Sequence, residues 1–80
     1  MNATQQLQDI FAAALSIPAA QVTNELSYQS IPEWDSVSHI YLITELEAAF
    51  NISIDTEEVL EMSSVEKVKE TLRKHQIAID

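Results

Sequence analysis

From Ser36 to Phe50 the apolar residues recur with the period of a helix, and this run constrains the fold more than any other in the chain. Leu42, Ile43, Leu46, Ala49 and Phe50 gather on one side of the wheel with Ile40 at its edge, while Ser38, Tyr41, Thr44, Glu45 and Ala48 occupy the other. Val37 falls with the outward group, so an apolar side chain turned away from the core is left for a partner. Asp35 or Ser36 can cap the start of this helix, and Asn51 can end it, because asparagine tolerates the left-handed conformation and the chain has no glycine to supply it.

The other segments follow the same period. Leu7, Ile10, Phe11, Ala14 and Leu15 form the buried stripe of a first helix, capped by Asn2 with Gln5 and ending near Ser16, since Pro18 disfavours a helical Ile17. Between Ile17 and Trp34 no period holds. Two prolines and a scatter of Thr, Asn and Ser mark a long loop, in which Pro18 can open one helical turn through Val22. Val22, Leu26, Ile31 and Trp34 are the residues that can pin that loop to a core, with Tyr28 as a further anchor. Ile52-Ser53-Ile54 alternates but is too short to build a sheet, and reads as a connector placing both isoleucines on the core. Asp55 with Glu58 predicts a short helix carrying Val59, Leu60 and Met62, and Ser63 with Glu66 a last helix carrying Val65, Val68 and Leu72. The expectation is an all-α bundle of three main helices plus one short helix, a single domain over residues 1–80, with its long loop between the first two helices.

Composition narrows the function. Four basic residues face thirteen acidic ones, for a net charge of −9, and all four lie between Lys67 and Lys74. A surface of this sign repels phosphate backbones and anionic lipids and favours docking onto basic patches of protein partners. Nucleic-acid binding is thereby excluded. No apolar run is long enough to cross a bilayer, the first residues lack the pattern of a secretory signal, and there is no cysteine, so a cytoplasmic monomer is expected. Any thiol chemistry must come from an attached group.

Reactive candidates are few. Ser36 stands at a helix entrance, where an isolated serine is ordinarily a cap worth about 1 kcal/mol. His39 follows three residues later, but no glycine exists to shape a nucleophile elbow and a bundle this small offers little concave volume, so a hydrolase is rejected. His39 falls with the core-facing residues, where a hydrogen bond to the loop suits it. His75 has no evident partner, and two distant histidines lack metal-ligand spacing.

The surroundings of Ser36 carry a resemblance. Trp34-Asp35-Ser36-Val37, the helix ending Leu46-Glu47-Ala48-Ala49-Phe50-Asn51-Ile52, then Ile54 and a short acidic helix resemble the acyl carrier proteins, whose hallmark is Asp-Ser-Leu. The likeness covers nearly all of the chain. It implies that a phosphopantetheinyl transferase attaches 4′-phosphopantetheine to Ser36, and that the arm carries acyl, aminoacyl or polyketide intermediates as thioesters among separate enzymes. Catalysis then belongs to those acyl-activating, synthase and acyltransferase enzymes. Asp35 is assigned to capping or to recognition by the transferase. Partner docking is expected at Val37, Tyr41 and Glu45, with Glu47, Glu57 and Glu58 secondary and as solvated carboxylates. Val37 in place of leucine, Trp34 where fatty-acid carriers commonly have glycine, and a less acidic outward face point to a discrete carrier of a dedicated pathway. A short acyl chain is expected to find room among Ile40, Leu46, Ile54, Val59, Met62 and Val68. The competing class is an unmodified acidic adaptor that binds a basic protein.

Overall fold

The computed structural model describes residues 3–79. Four α-helices follow one another: α1 (Ala3–Leu15), α2 (Ser36–Phe50), the short α3 (Thr56–Glu61) and α4 (Val65–Lys74), with one turn of 3-10 helix at Ala19–Gln21 in the long loop. That turn follows Pro18, as its fixed φ favours. The expected Asn2 cap lies outside the described residues. No described helix is long and apolar enough to cross a membrane.

The core is built where the helical stripes meet. Leu7, Phe11 and Leu15 of α1, Leu42, Ile43 and Leu46 of α2, and Val65, Val68 and Leu72 of α4 are all buried, with Met62 and Ile54 filling in from the connectors. Ile79 adds a contribution from the C-terminal segment, which Arg73 holds back by donating from Nε to the Ile79 carbonyl at 3.2 Å. The long loop is fastened as its apolar residues require. Trp34 is fully buried, edge-on to Phe11 at 5.3 Å and to Tyr28 at 6.3 Å, and Val22 is buried beside it in the same core. An isolated antiparallel bridge between Ser27 and Ser64 stitches the loop to the α3–α4 connector, through Tyr28 N–H to Ser63 O at 2.8 Å and Val65 N–H to Leu26 O at 2.9 Å.

Three helices stop by one device. After α1, α2 and α4 come Ser16, Asn51 and Gln76, all left-handed with φ of 57°, 54° and 67°. An isoleucine follows each of them, and its N–H reaches back to a carbonyl in the helix: Ile17 to Ala12, Ile52 to Glu47 and Ile77 to Leu72, at 3.0–3.2 Å. The reversal satisfies carbonyls that the helix leaves free and drops an apolar side chain onto the core.

The structure corrects several expectations. Ser64, not Ser63, caps α4, its hydroxyl accepting from Lys67 N–H at 3.1 Å. Ser63 is instead engaged through its carbonyl in the bridge to the loop, so the helix begins one residue later and Glu66 cannot close a capping box. Leu60 is 77% exposed and Ile40 65% exposed, while Ala49 is exposed at the far end of α2. The buried stripe of α2 is narrower than its apolar residues suggest, being centred on Leu42, Ile43 and Leu46; Ile40 lies roughly 110° from that centre. Ile40 therefore cannot line an internal acyl site with Leu46 and Met62. Both connector isoleucines do reach the core as expected, Ile54 buried and Ile52 half-buried against it.

Candidate functional site

The entrance to α2 is organised by Asp35 and Ser38. Asp35, extended at φ −113° and ψ −172°, is the N-cap: its Oδ1 accepts from Ser38 N–H at 3.0 Å, and the Ser38 hydroxyl in turn accepts from Asp35 N–H at 2.9 Å. The Ser38 hydroxyl also donates to the Glu33 carbonyl at 2.7 Å, tying the last turn of the loop to the helix. Of the two alternatives read from the sequence, Asp35 rather than Ser36 is the cap. The Ser38 main-chain N–H, followed by its hydroxyl and the Val37 and Asp35 N–H groups, holds the Asp35 carboxyl below its ordinary range against the opposing effect of desolvation.

This arrangement separates two neighbouring serines. Ser38 is committed to the cap and to Glu33. Ser36, the first residue of α2, is exposed, and its hydroxyl has no hydrogen-bond partner among the described residues. The sequence spacing brings the reactive candidate to the one hydroxyl at this helix entrance that structure does not consume.

Around Ser36 the outward face of α2 is apolar. Val37 is 76% exposed and Tyr41 51% exposed, as the wheel predicts, and Ile40 joins them on the turn between. Val37 and Tyr41 also border an open groove of about 410 Å³ that the end of α1 completes with Ala14, Leu15 and Ser16, and that Glu33 and Asp35 line with carboxylates. The participation of α1 had no local sequence signal, because it depends on how α1 crosses α2. Ile40 was legible in principle, had the wheel been centred on Leu42, Ile43 and Leu46 alone.

The carboxylates expected to dock partners divide. Glu45 is half-buried one turn beyond Tyr41, and Glu57 is exposed on α3. Glu47 differs from the solvated carboxylate expected: its Oε2 accepts from Ile54 N–H at 2.8 Å and fixes the α2–α3 connector. Glu58 is likewise occupied, accepting from its own cap residue Asp55 and facing His75 Nε2 at 2.9 Å, so that histidine does have a partner. The pair was hidden in the sequence because its members stand 17 residues apart, one on α3 and one at the C-cap of α4.

His39 takes the structural task expected of it. Trp34 Nε1–H donates to His39 Nδ1 at 3.0 Å, linking the loop to α2, and His39 Nε2 lies 3.0 Å from the Val59 carbonyl on α3. Both ring nitrogens are occupied, so neither is available to activate Ser36.

Comparison with known proteins agrees with this architecture. The family model for the phosphopantetheine attachment site matches residues 5–72. An acyl carrier protein of Rubrobacter xylanophilus is 36% identical over 74 residues, spanning 92% of this chain and 91% of that one. The solution NMR structure of the holo acyl carrier protein from Geobacter metallireducens superposes with a TM-score of 0.73 at 27% identity, covering 100% of this chain and 98% of that chain. With its helices in this order and residues 5–72 matching the attachment-site model, the chain belongs to the acyl carrier protein family, carriers rather than enzymes, which work through a covalently attached 4′-phosphopantetheine.

Proposed function

We propose that Ser36 is the attachment point of the arm, and that the chain carries acyl, aminoacyl or polyketide intermediates as thioesters in a dedicated biosynthetic pathway. The observation that carries this reading is the contrast at the α2 entrance: Ser38 is locked into the cap, whereas the Ser36 hydroxyl is exposed and unbonded among the described residues. The Asp35 carboxylate occupies the Ser38 N–H, one of the main-chain donors that a phosphate at a helix N-terminus would seek. The arm hangs from an exposed side chain and swings in solvent. In the attachment step the Ser36 oxygen bonds to the phosphorus of coenzyme A that bears the pantetheine, the pyrophosphate bond breaks to release adenosine 3′,5′-bisphosphate, and the serine proton passes to a base on the transferase.

Partners meet the carrier on the outward face of α2, with Val37, Ile40 and Tyr41 supplying apolar contact and Asp35 and Glu45 the charge. An exposed tyrosine and two aliphatic side chains bordered by carboxylates suit a transferase or synthase surface that is apolar at its centre and basic at its rim. The less acidic face supports a discrete carrier over a bulk fatty-acid carrier.

The test is intact-mass measurement after incubation with coenzyme A and a broad-specificity phosphopantetheinyl transferase. A gain of one phosphopantetheine group, lost in Ser36→Ala and kept in Ser38→Ala, supports the reading. No gain favours the unmodified adaptor, and a gain that survives Ser36→Ala moves the attachment elsewhere.

A further inference from the structure

The short helix α3 has no fully buried residue: Val59 and Glu58 are half-buried, and Leu60 is almost entirely in solvent. A six-residue helix is too short to persist on its own hydrogen bonds. Val59 packs against the core, and the remaining ties that hold the helix are polar. Among the described residues, the side chains that hydrogen-bond Thr56–Glu61 from beyond α3 and its cap are both histidines, the only two in the chain. They grip successive residues: His39 of α2 bonds the Val59 carbonyl at 3.0 Å, and His75, just past α4, bonds the Glu58 carboxylate at 2.9 and 3.1 Å.

The two ties make opposite demands on the proton. An indole N–H can only donate, so the Trp34 bond requires a bare lone pair on His39 Nδ1, and the single proton of that ring sits on Nε2, where it donates to Val59. Adding a proton to His39 sets two N–H groups against each other at 3.0 Å. His75 faces only the Glu58 carboxylate with Nε2, an arrangement that a second proton strengthens by making it charge-assisted. The groups facing His39 are the Tyr28 ring at 5.3 Å, Trp34, the Asp35 carbonyl that accepts its main-chain N–H, and the Val59 carbonyl, whose neighbour Glu58 is engaged with His75. Those near His75 are Glu58 across the gap and Arg73 and Lys74 on its own helix, with the Arg73 Nε committed to Ile79.

We propose that His39 and His75 form a proton-sensitive clamp on α3, in which neutral His39 ties the helix to α2 and to the loop, and protonation releases that side while His75 keeps its hold. The sign follows from the bonds. The His39 tie is present when the ring is neutral and is lost when the ring takes up a second proton, so it weakens on acidification. On acidification α3 swings from its Glu58 side and the seam between α2 and α3 opens. The clamp is independent of whether Ser36 carries an arm.

The test is NMR on the full chain from about pH 7.5 to about pH 5.5, a span that brackets the ordinary imidazole range. It follows the His39 ring nitrogens, the Trp34 Nε1–H resonance and the hydrogen-exchange protection of residues 56–61 relative to α1. The expected result is a neutral Nε2–H tautomer at the upper pH. As the ring protonates, the indole resonance should shift and protection of α3 should fall about tenfold or more while α1 is unchanged. His39→Phe is expected to show the low-protection α3 at both pH values, and His75→Gln to keep the pH response. Because the wild-type titration needs no variant, a folding failure of His39→Phe leaves the test intact. A His39 ring that titrates without moving Trp34 or α3, a ring that stays neutral to the lower pH, or an α3 response that persists in His39→Phe would overturn the clamp.

Discussion

Ser36 and Ser38 lie two residues apart on the same helical turn, and their hydrogen bonds give them different fates. Ser38→Ala should lower stability by about 1 kcal/mol through loss of its reciprocal bonds with Asp35 and Glu33, measured by urea unfolding, while leaving Ser36 modifiable. Asp35 adds a pH signature. Its carboxyl is held below the ordinary carboxylate range by the Ser38 N–H, so its contribution is present above that range and is lost as pH falls through the depressed value. Protection of the Ser38 amide should accordingly fall on acidification in the wild type and be low at every pH in Asp35→Ala. At this scale the sequence was a good guide for local features such as Asp35 as a candidate cap, Asp55 with Glu58, and Asn51 in the left-handed region, but it did not single out Ser38 as the partner of Asp35. It was silent where the partner comes from a distant helix, as for Glu58 with His75, and half-informative for Glu47, whose bond to Ile54 spans a connector of unknown course.

Among the elements, the long loop rests on one side chain. Trp34 is fully buried, packs against Phe11 and Tyr28, and bonds His39, so Trp34→Ala should cost about 3–5 kcal/mol and loosen the α2 entrance together with the loop. A denaturant midpoint that scarcely moves would contradict that role. The helices themselves could be read from periodicity, because burying one face of each is what makes them stable. What periodicity could not supply was the width of the buried face. It is set by the neighbours: α2 covers Leu42, Ile43 and Leu46 and leaves Ile40 and Ala49 outside. Likewise Leu60 fits a helical pattern, yet α3 is laid against the bundle by Val59 and by polar ties, and Leu60 turns to solvent.

For the molecule as a whole, charge is the widest-ranging property. The first 66 residues carry no Lys or Arg, so the formal charges on α2 are those of Glu45 and Glu47 alone. Glu45→Lys should reduce turnover by partner enzymes and flatten its dependence on salt without altering the unfolding free energy by more than about 0.5 kcal/mol. Turnover with unchanged salt dependence would remove Glu45 from the interface. The helix endings have a different consequence. Three long helices each turn back through a side chain that must tolerate a backbone conformation suited to the residue type this chain lacks altogether. Placing that residue at Ser16 or Gln76 should raise the melting temperature, by the equivalent of about 0.5–1 kcal/mol at each, as relief of the left-handed penalty outweighs the added freedom of the unfolded chain. The carrier thus holds unused thermal headroom at two helix ends, and at Gln76 a hardier version can be reached away from the groove that Ser16 shares with Val37 and Tyr41.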